Sequence, residues 1–163
     1  MLQEVFTHML LSLSLSRSLL QDDRTAATLK LLQYLKEQNR MGAYVRYVHS
    51  LVDQHEQQQL PDRAAMILML HCQLLGWDQS LQLEEQADCP AESEFDRKVR
   101  LYTQVISLYD KASWWERAIA LVGELKDQHE KNKCDFLQVA EYLEMQASFY
   151  RKVRTACDTL LTS

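Results

Sequence analysis

The chain has 163 residues, 47% of them hydrophobic and 25% charged, with only three Gly and two Pro. That is enough apolar material for one domain with a sizeable core, which excludes disorder as the main theme, and too few turn residues for a β-sandwich. Eighteen Lys and Arg against 23 Asp and Glu leave a net charge of −5, which gives no general attraction to nucleic acid or to an anionic membrane.

Apolar periodicity predicts an all-α protein, an antiparallel array of about six to seven helices stacked as helical hairpins. Residues 1–21 form an N-terminal helix in this scheme. Leu11, Leu13 and Leu15 alternate with Ser12 and Ser14 as in a strand, yet Leu11, Leu15 and Leu19 also share a helical face, and the helical neighbours decide for helix. Glu4 and Arg17 interrupt the apolar run and no basic residue precedes it, so neither a secretory signal nor a transmembrane segment is expected.

Residues 22–153 are the main helical lobe. Leu29, Leu32 and Leu35, with Leu31 and Tyr34 beside them, give an apolar stripe that ends near Asn39, and Gly42 marks a joint. Tyr44, Val45, Val48, Leu51, Val52 and His55 predict an amphipathic third helix. Pro61 followed by Asp62 suits the first turn of a fourth, because proline lacks the N–H that a first turn leaves unpaired and an acid complements the dipole. That helix is expected to run to Leu75, buried on more than one side, with Gly76 as its stop.

From residue 64 to residue 96 there are seven acids and no Lys or Arg. With Pro90 in its middle, residues 78–92 are expected to be a mobile acidic loop, solvated or in contact with a basic partner. A fifth, centrally placed helix follows over residues 93–111. Ser113 and Glu116 have capping-box spacing before a sixth. Asp135 is the expected cap of the last helix, along which Phe136, Val139, Ala140, Leu143, Ala147 and Tyr150 step on one side. Residues 154–163 have weak periodicity and are expected to fray. Leu51-Val52-Asp53 with Ala64-Ala65 resembles Leu108-Tyr109-Asp110 with Ala118-Ile119, at offsets of 57 and 54, which implies a repeat with a shorter joint in its second copy.

Chemistry is sparse. His71 and Cys72 are neighbours on one helix and diverge by about 100°, so they are expected to be a hydrogen-bonded histidine and a buried thiol rather than a catalytic pair. His49 and Asp53 are one turn apart and could share a proton or a metal, but two ligands are too few without distant help. Asp22 and Asp23 beside Arg24 are explained by a helix start. The four cysteines show no zinc-finger spacing and read as reduced cytoplasmic thiols, and three scattered glycines make no phosphate cradle. No catalytic residue, cofactor or metal is therefore predicted. Trp77 and Trp115 are expected to clamp helix joints, and Trp114 is the partner-contact candidate.

Tyr44-Val45-Arg46-Tyr47-Val48, Leu51-Val52-Asp53, Ala64-Ala65 and Leu74-Leu75-Gly76-Trp77 resemble the helical run of the dedicator-of-cytokinesis (DOCK) exchange factors. Leu101-Tyr102, Tyr109-Asp110-Lys111, Trp115-Glu116-Arg117-Ala118-Ile119 and Ala147-Ser148-Phe149-Tyr150 extend the resemblance in the same order. It implies the first helical lobe of the region by which that family discharges GDP from Rho-family GTPases such as Rac. In the family this lobe supports two later lobes that bind the GTPase, so the resemblance implies no catalytic residues here, no exchange by this lobe alone, and GTPase contact only through the full-length protein. It also implies an apolar face, normally covered by the second lobe, through which this chain would self-associate or bind a partner. Met66-Ile67, and the lack of Pro or aromatic residues over 154–163, depart from the family pattern. A free-standing helical-repeat adaptor binding a protein or peptide partner is the alternative.

Overall fold

The computed structural model describes residues 23–161; the expected helix over residues 1–21 and Asp22 lie outside them. Six helices are described: α1 (Asp23–Glu37), α2 (Met41–Gln57), α3 (Pro61–Cys72), α4 (Glu94–Lys111), α5 (Trp115–Asn132) and α6 (Phe136–Leu161). A small antiparallel hairpin, β1 (Gln82–Leu83) with β2 (Glu92–Ser93), lies between α3 and α4. The fold is an all-α array, as expected. It divides into two compact units, Met1–Tyr47 and Val48–Ser163, with the boundary inside α2. In the first, Leu32, Tyr44 and Val45 are buried, while Leu31 and Tyr34 of the expected stripe are exposed.

In the second unit, α3 packs on α4, α4 on α5 and α5 on α6. Ala64, Ala65 and Met66 are all buried; three successive positions sweep about 200° of a helix, so α3 is enclosed on more than one side. Pro61 opens α3, with Asp62 in its first turn. In α4, Leu101 and Val105 have no exposed surface, and Tyr102, Ile106, Leu108 and Tyr109 are buried around them. A buried aliphatic side chain contributes about 1.5–3 kcal/mol, so this helix forms the centre of the core. Ala118, Val122 and Leu125 of α5 face it, and Tyr142 and Phe149 of α6 close the far side.

Several boundaries differ from expectation for local reasons. The residues after Cys72 form turns onto His71 and Cys72 carbonyls, so α3 stops before Leu75 and Gly76 is not its terminus. Gly42 lies inside α2; the joint before it is made by Asn39 at φ 54°. Ser113 does not cap α5: it sits at φ 58° in the joint itself. The serine cap belongs to α4, where Ser93 Oγ accepts from Asp96 N at 3.1 Å and donates to Asp96 Oδ2 at 2.7 Å. Asp135 does cap α6, accepting from Gln138 N at 3.1 Å. The expected frayed tail is helical to Leu161, with Arg154 and Asp158 paired one turn apart; its weak periodicity reflects exposure of both faces, Arg154 and Thr155 among them. The joints α2–α3 and α4–α5 are equal in length, three residues each. The offset difference between the repeat copies therefore lies in α2, which runs further beyond Asp53 than α4 does beyond Asp110.

Candidate functional site

The acidic stretch is hydrogen-bonded structure rather than irregular loop. Gln82 pairs with Ser93 and Leu83 with Glu92, and a tighter bridge joins Gln86 to Cys89 around Ala87 at φ 51°. Arg97 holds it from beneath. This guanidinium is 2% exposed, yet Nη2 donates to Glu84 O at 2.7 Å and Pro90 O at 2.6 Å, and Nε to Glu92 Oε1 at 3.3 Å. Arg100 Nη2 also binds Glu92, whose carboxyl is held below its ordinary range by the two arginines against the opposing effect of burial. A buried charge is tolerable only when paired and fully hydrogen-bonded, and the hairpin supplies those partners. Lys98 is tied in similarly: Nζ donates to Leu75 O at 2.8 Å and lies 4.6 Å from the centre of the Trp77 ring. Burial lowers its pKa.

Beneath the hairpin the two histidines meet. His49 Nε2 and His71 Nδ1 are 2.9 Å apart, one ring donating to the other, with the rings edge to face. Burial lowers both pKa values, that of His71 to about 4, with Arg97 and Arg100 adding to the effect. His71 is therefore the hydrogen-bonded histidine expected, and Cys72 beside it is a buried thiol whose pKa burial pushes up to about 12. Cys89 brings its sulfur to the pair, and the three potential donor atoms lie within 4.8 Å of one another. Of the His49 and Asp53 pair, Asp53 is exposed and His49 half-buried; both line a cavity of about 260 Å³ with Glu56, Asp88, Arg100 and Lys111.

The tryptophans behave as joint clamps. Trp77 Nε1 donates to Glu124 Oε1 at 3.2 Å while Tyr102 Oη donates to Glu124 Oε2 at 3.1 Å, joining the chain after α3 to α4 and α5. Trp115 Nε1 donates to Asp110 Oδ1 at 2.9 Å, and Lys152 of α6 binds both oxygens of that carboxylate. Trp114 is half-buried, with Arg117 4.4 Å over its ring and Tyr109 tilted against it.

Helix α6 carries two apolar faces. Tyr142 and Phe149, seven residues apart, pack inward. Roughly 90–170° further round the helix, Phe136, Ala140, Leu143 and Tyr150 follow spacings of four, three and seven, and all are exposed: Phe136 by 69%, Leu143 by 50% and Tyr150 by 60%. Half-buried Ala147 lies in the same stripe. The periodicity of this stripe was legible in the sequence; its solvent exposure was not, because nothing local distinguishes it from the packed face.

No family model matches the chain. It is 31% identical to mouse dedicator of cytokinesis protein 3 over 134 residues, covering 82% of this chain and 6% of that protein. It is 32% identical to human dedicator of cytokinesis protein 4 over 131 residues, 80% of this chain and 7% of the relative. DOCK-like protein 1 of Saccharomyces cerevisiae is 25% identical over 136 residues, 82% and 7% respectively. The chain thus spans 6–7% of the length of these curated relatives.

Proposed function

Since the chain belongs to the dedicator-of-cytokinesis family, we propose that it is a supporting helical lobe of a guanine nucleotide exchange factor for Rho/Rac-family GTPases, with no exchange activity of its own. The observation that carries this reading is the apolar stripe of α6, exposed in a chain that matches only a small part of its relatives. An apolar face of this kind, exposed among the described residues, marks an interaction surface. Its proposed occupant is the following lobe of the same exchange region, and the GTPase is reached only through the complete protein. The contact is assigned to the α6 stripe rather than to Trp114, whose ring is already half covered. In the absence of the following lobe the stripe mediates self-association. Among the described residues no helix is long and apolar enough to cross a membrane, and the proposed setting is the cytoplasm, where Rho-family GTPases act.

Release of a fluorescent GDP analogue from Rac tests the inactive half of the proposal. The chain alone leaves release at its intrinsic rate; an accelerated rate would overturn the supporting role. Immunoblotting of source-cell extract with an antibody to residues 78–92 tests the other half. A native polypeptide many times larger than 163 residues is expected. A product of the chain's own size, with peptides captured between its hairpins, would favour the free-standing adaptor.

A further inference from the structure

We propose that His49, His71 and Cys89 form a binding site for a thiophilic divalent cation, with Zn2+ the ion best matched to the donor set. The ligands come from α2, α3 and the hairpin turn, 22 and 18 residues apart in sequence, so no sequence spacing announces them. One nitrogen from each imidazole and the Cys89 sulfur lie within 4.8 Å of one another, the two nitrogens at 2.9 Å. Tetrahedral zinc takes Zn–N at about 2.0–2.1 Å and Zn–S at about 2.3 Å, which places donors roughly 3.3–3.7 Å apart. The nitrogens need to part by a few tenths of an ångström and the sulfur to close in by about 1 Å, within the range of side-chain torsions.

The hairpin supports this assignment. Its flanking Asp88 and Pro90 are exposed, but Cys89 between them has no exposed surface and is turned onto the histidine pair. Two neutral imidazoles and a thiolate are a borderline-soft set suited to zinc rather than to Mg2+ or Ca2+. The cavity beside His49 holds Asp53, one turn along α2, and Asp88, next to Cys89. It provides an entry path and room for water as the fourth ligand. Asp53, Asp88 and the thiolate offset the positive charge of Arg97 and Arg100 nearby. On binding, two Zn–N bonds and one Zn–S bond form. The proton shared between the rings moves to a ring nitrogen facing away from the metal, the Cys89 S–H bond breaks, and about one proton is released to buffer per cation. The bound ion cross-links the hairpin to α2 and α3.

The test uses the full chain carrying Cys134→Ser and Cys157→Ser, which removes the two exposed thiols. The protein is stripped with chelator and titrated with Co2+ as a spectroscopic substitute for Zn2+. Expected are one-to-one binding, thiolate-to-cobalt charge transfer in the near ultraviolet, intense tetrahedral d–d bands, and displacement by Zn2+. Cys89→Ser abolishes the charge-transfer band. His49→Gln, at a half-buried position that spares the core, weakens Zn2+ binding at least about tenfold, with circular dichroism verifying the fold. No charge-transfer band in the parent, a band that survives Cys89→Ser, or unchanged affinity in folded His49→Gln would each overturn the proposal.

Discussion

Arg97 shows how one residue can determine the state of a segment. The seven acids over 64–96 stand without a cation only because that interval ends one position short of Arg97-Lys98-Arg100. The cluster that neutralises the stretch was visible in the sequence; what sequence could not supply was its direction, inward from α4 onto the Glu84 and Pro90 carbonyls. Arg97→Met leaves those carbonyls and Glu92 without their buried partner. A loss of about 3 kcal/mol is expected, with faster hydrogen exchange across residues 82–93 in mass spectrometry. Exchange that stays at the wild-type rate would show that the hairpin does not depend on the guanidinium. The histidine and cysteine cluster has the same history. His49 was legible as a ligand lacking distant help, and only the fold brings His71 and Cys89 to it.

At the scale of elements, helix identity was legible and helix ends were not. The joints α1–α2, α2–α3 and α4–α5 share one hydrogen-bond pattern: Arg40 N to Leu35 O, Leu60 N to His55 O and Trp114 N to Tyr109 O, each with the preceding residue bonded three back. This is the Schellman arrangement, which places its penultimate residue in the left-handed region and usually takes glycine there. Here those residues are Asn39, Gln59 and Ser113, at φ 54°, 58° and 58°, so the customary glycine signal is absent and Gly42 and Gly76 point to the wrong places. A side chain with a β-carbon costs about 1–2 kcal/mol in that region, partly offset by the greater unfolded-state freedom of glycine. Gln59→Gly and Ser113→Gly should therefore each stabilise the protein by about 0.5–1 kcal/mol. Urea denaturation measures this, and a lowered midpoint in either variant would contradict the assigned joint geometry.

For the molecule as a whole, each of the two units buries tyrosines whose hydroxyls ionise late. Burial raises Tyr44 and Tyr142 to about 12 from 10.0, and raises Tyr109 as well. In the unfolded chain these groups ionise near 10, so their contribution is fully present below that pH and is lost as pH rises from about 10 to 12. For Tyr44 the loss amounts to less than about 3 kcal/mol. Phenolate absorbance and loss of helical dichroism should rise together above pH 10; titration of all seven tyrosines at pH 10 with helicity intact would contradict the buried assignment.

The array itself was legible because periodicity and three-residue joints leave few other ways to bury these faces. Which face of α6 remains outside was not, since Phe136, Leu143 and Tyr150 are as apolar as Tyr142 and Phe149, and only the packing on α5 separates them. That exposed face carries the functional account, and one measurement addresses it directly. The chain is mixed with the remainder of a dedicator-of-cytokinesis exchange region, expressed as a separate polypeptide, and the mass of the complex is read by light scattering, for wild type and for Leu143→Asp. The account predicts a one-to-one complex with wild type and none with Leu143→Asp, whose melting stays within about 0.5 kcal/mol of wild type because the residue is on the surface. A complex that forms equally well with folded Leu143→Asp, or no complex with wild type, would contradict it.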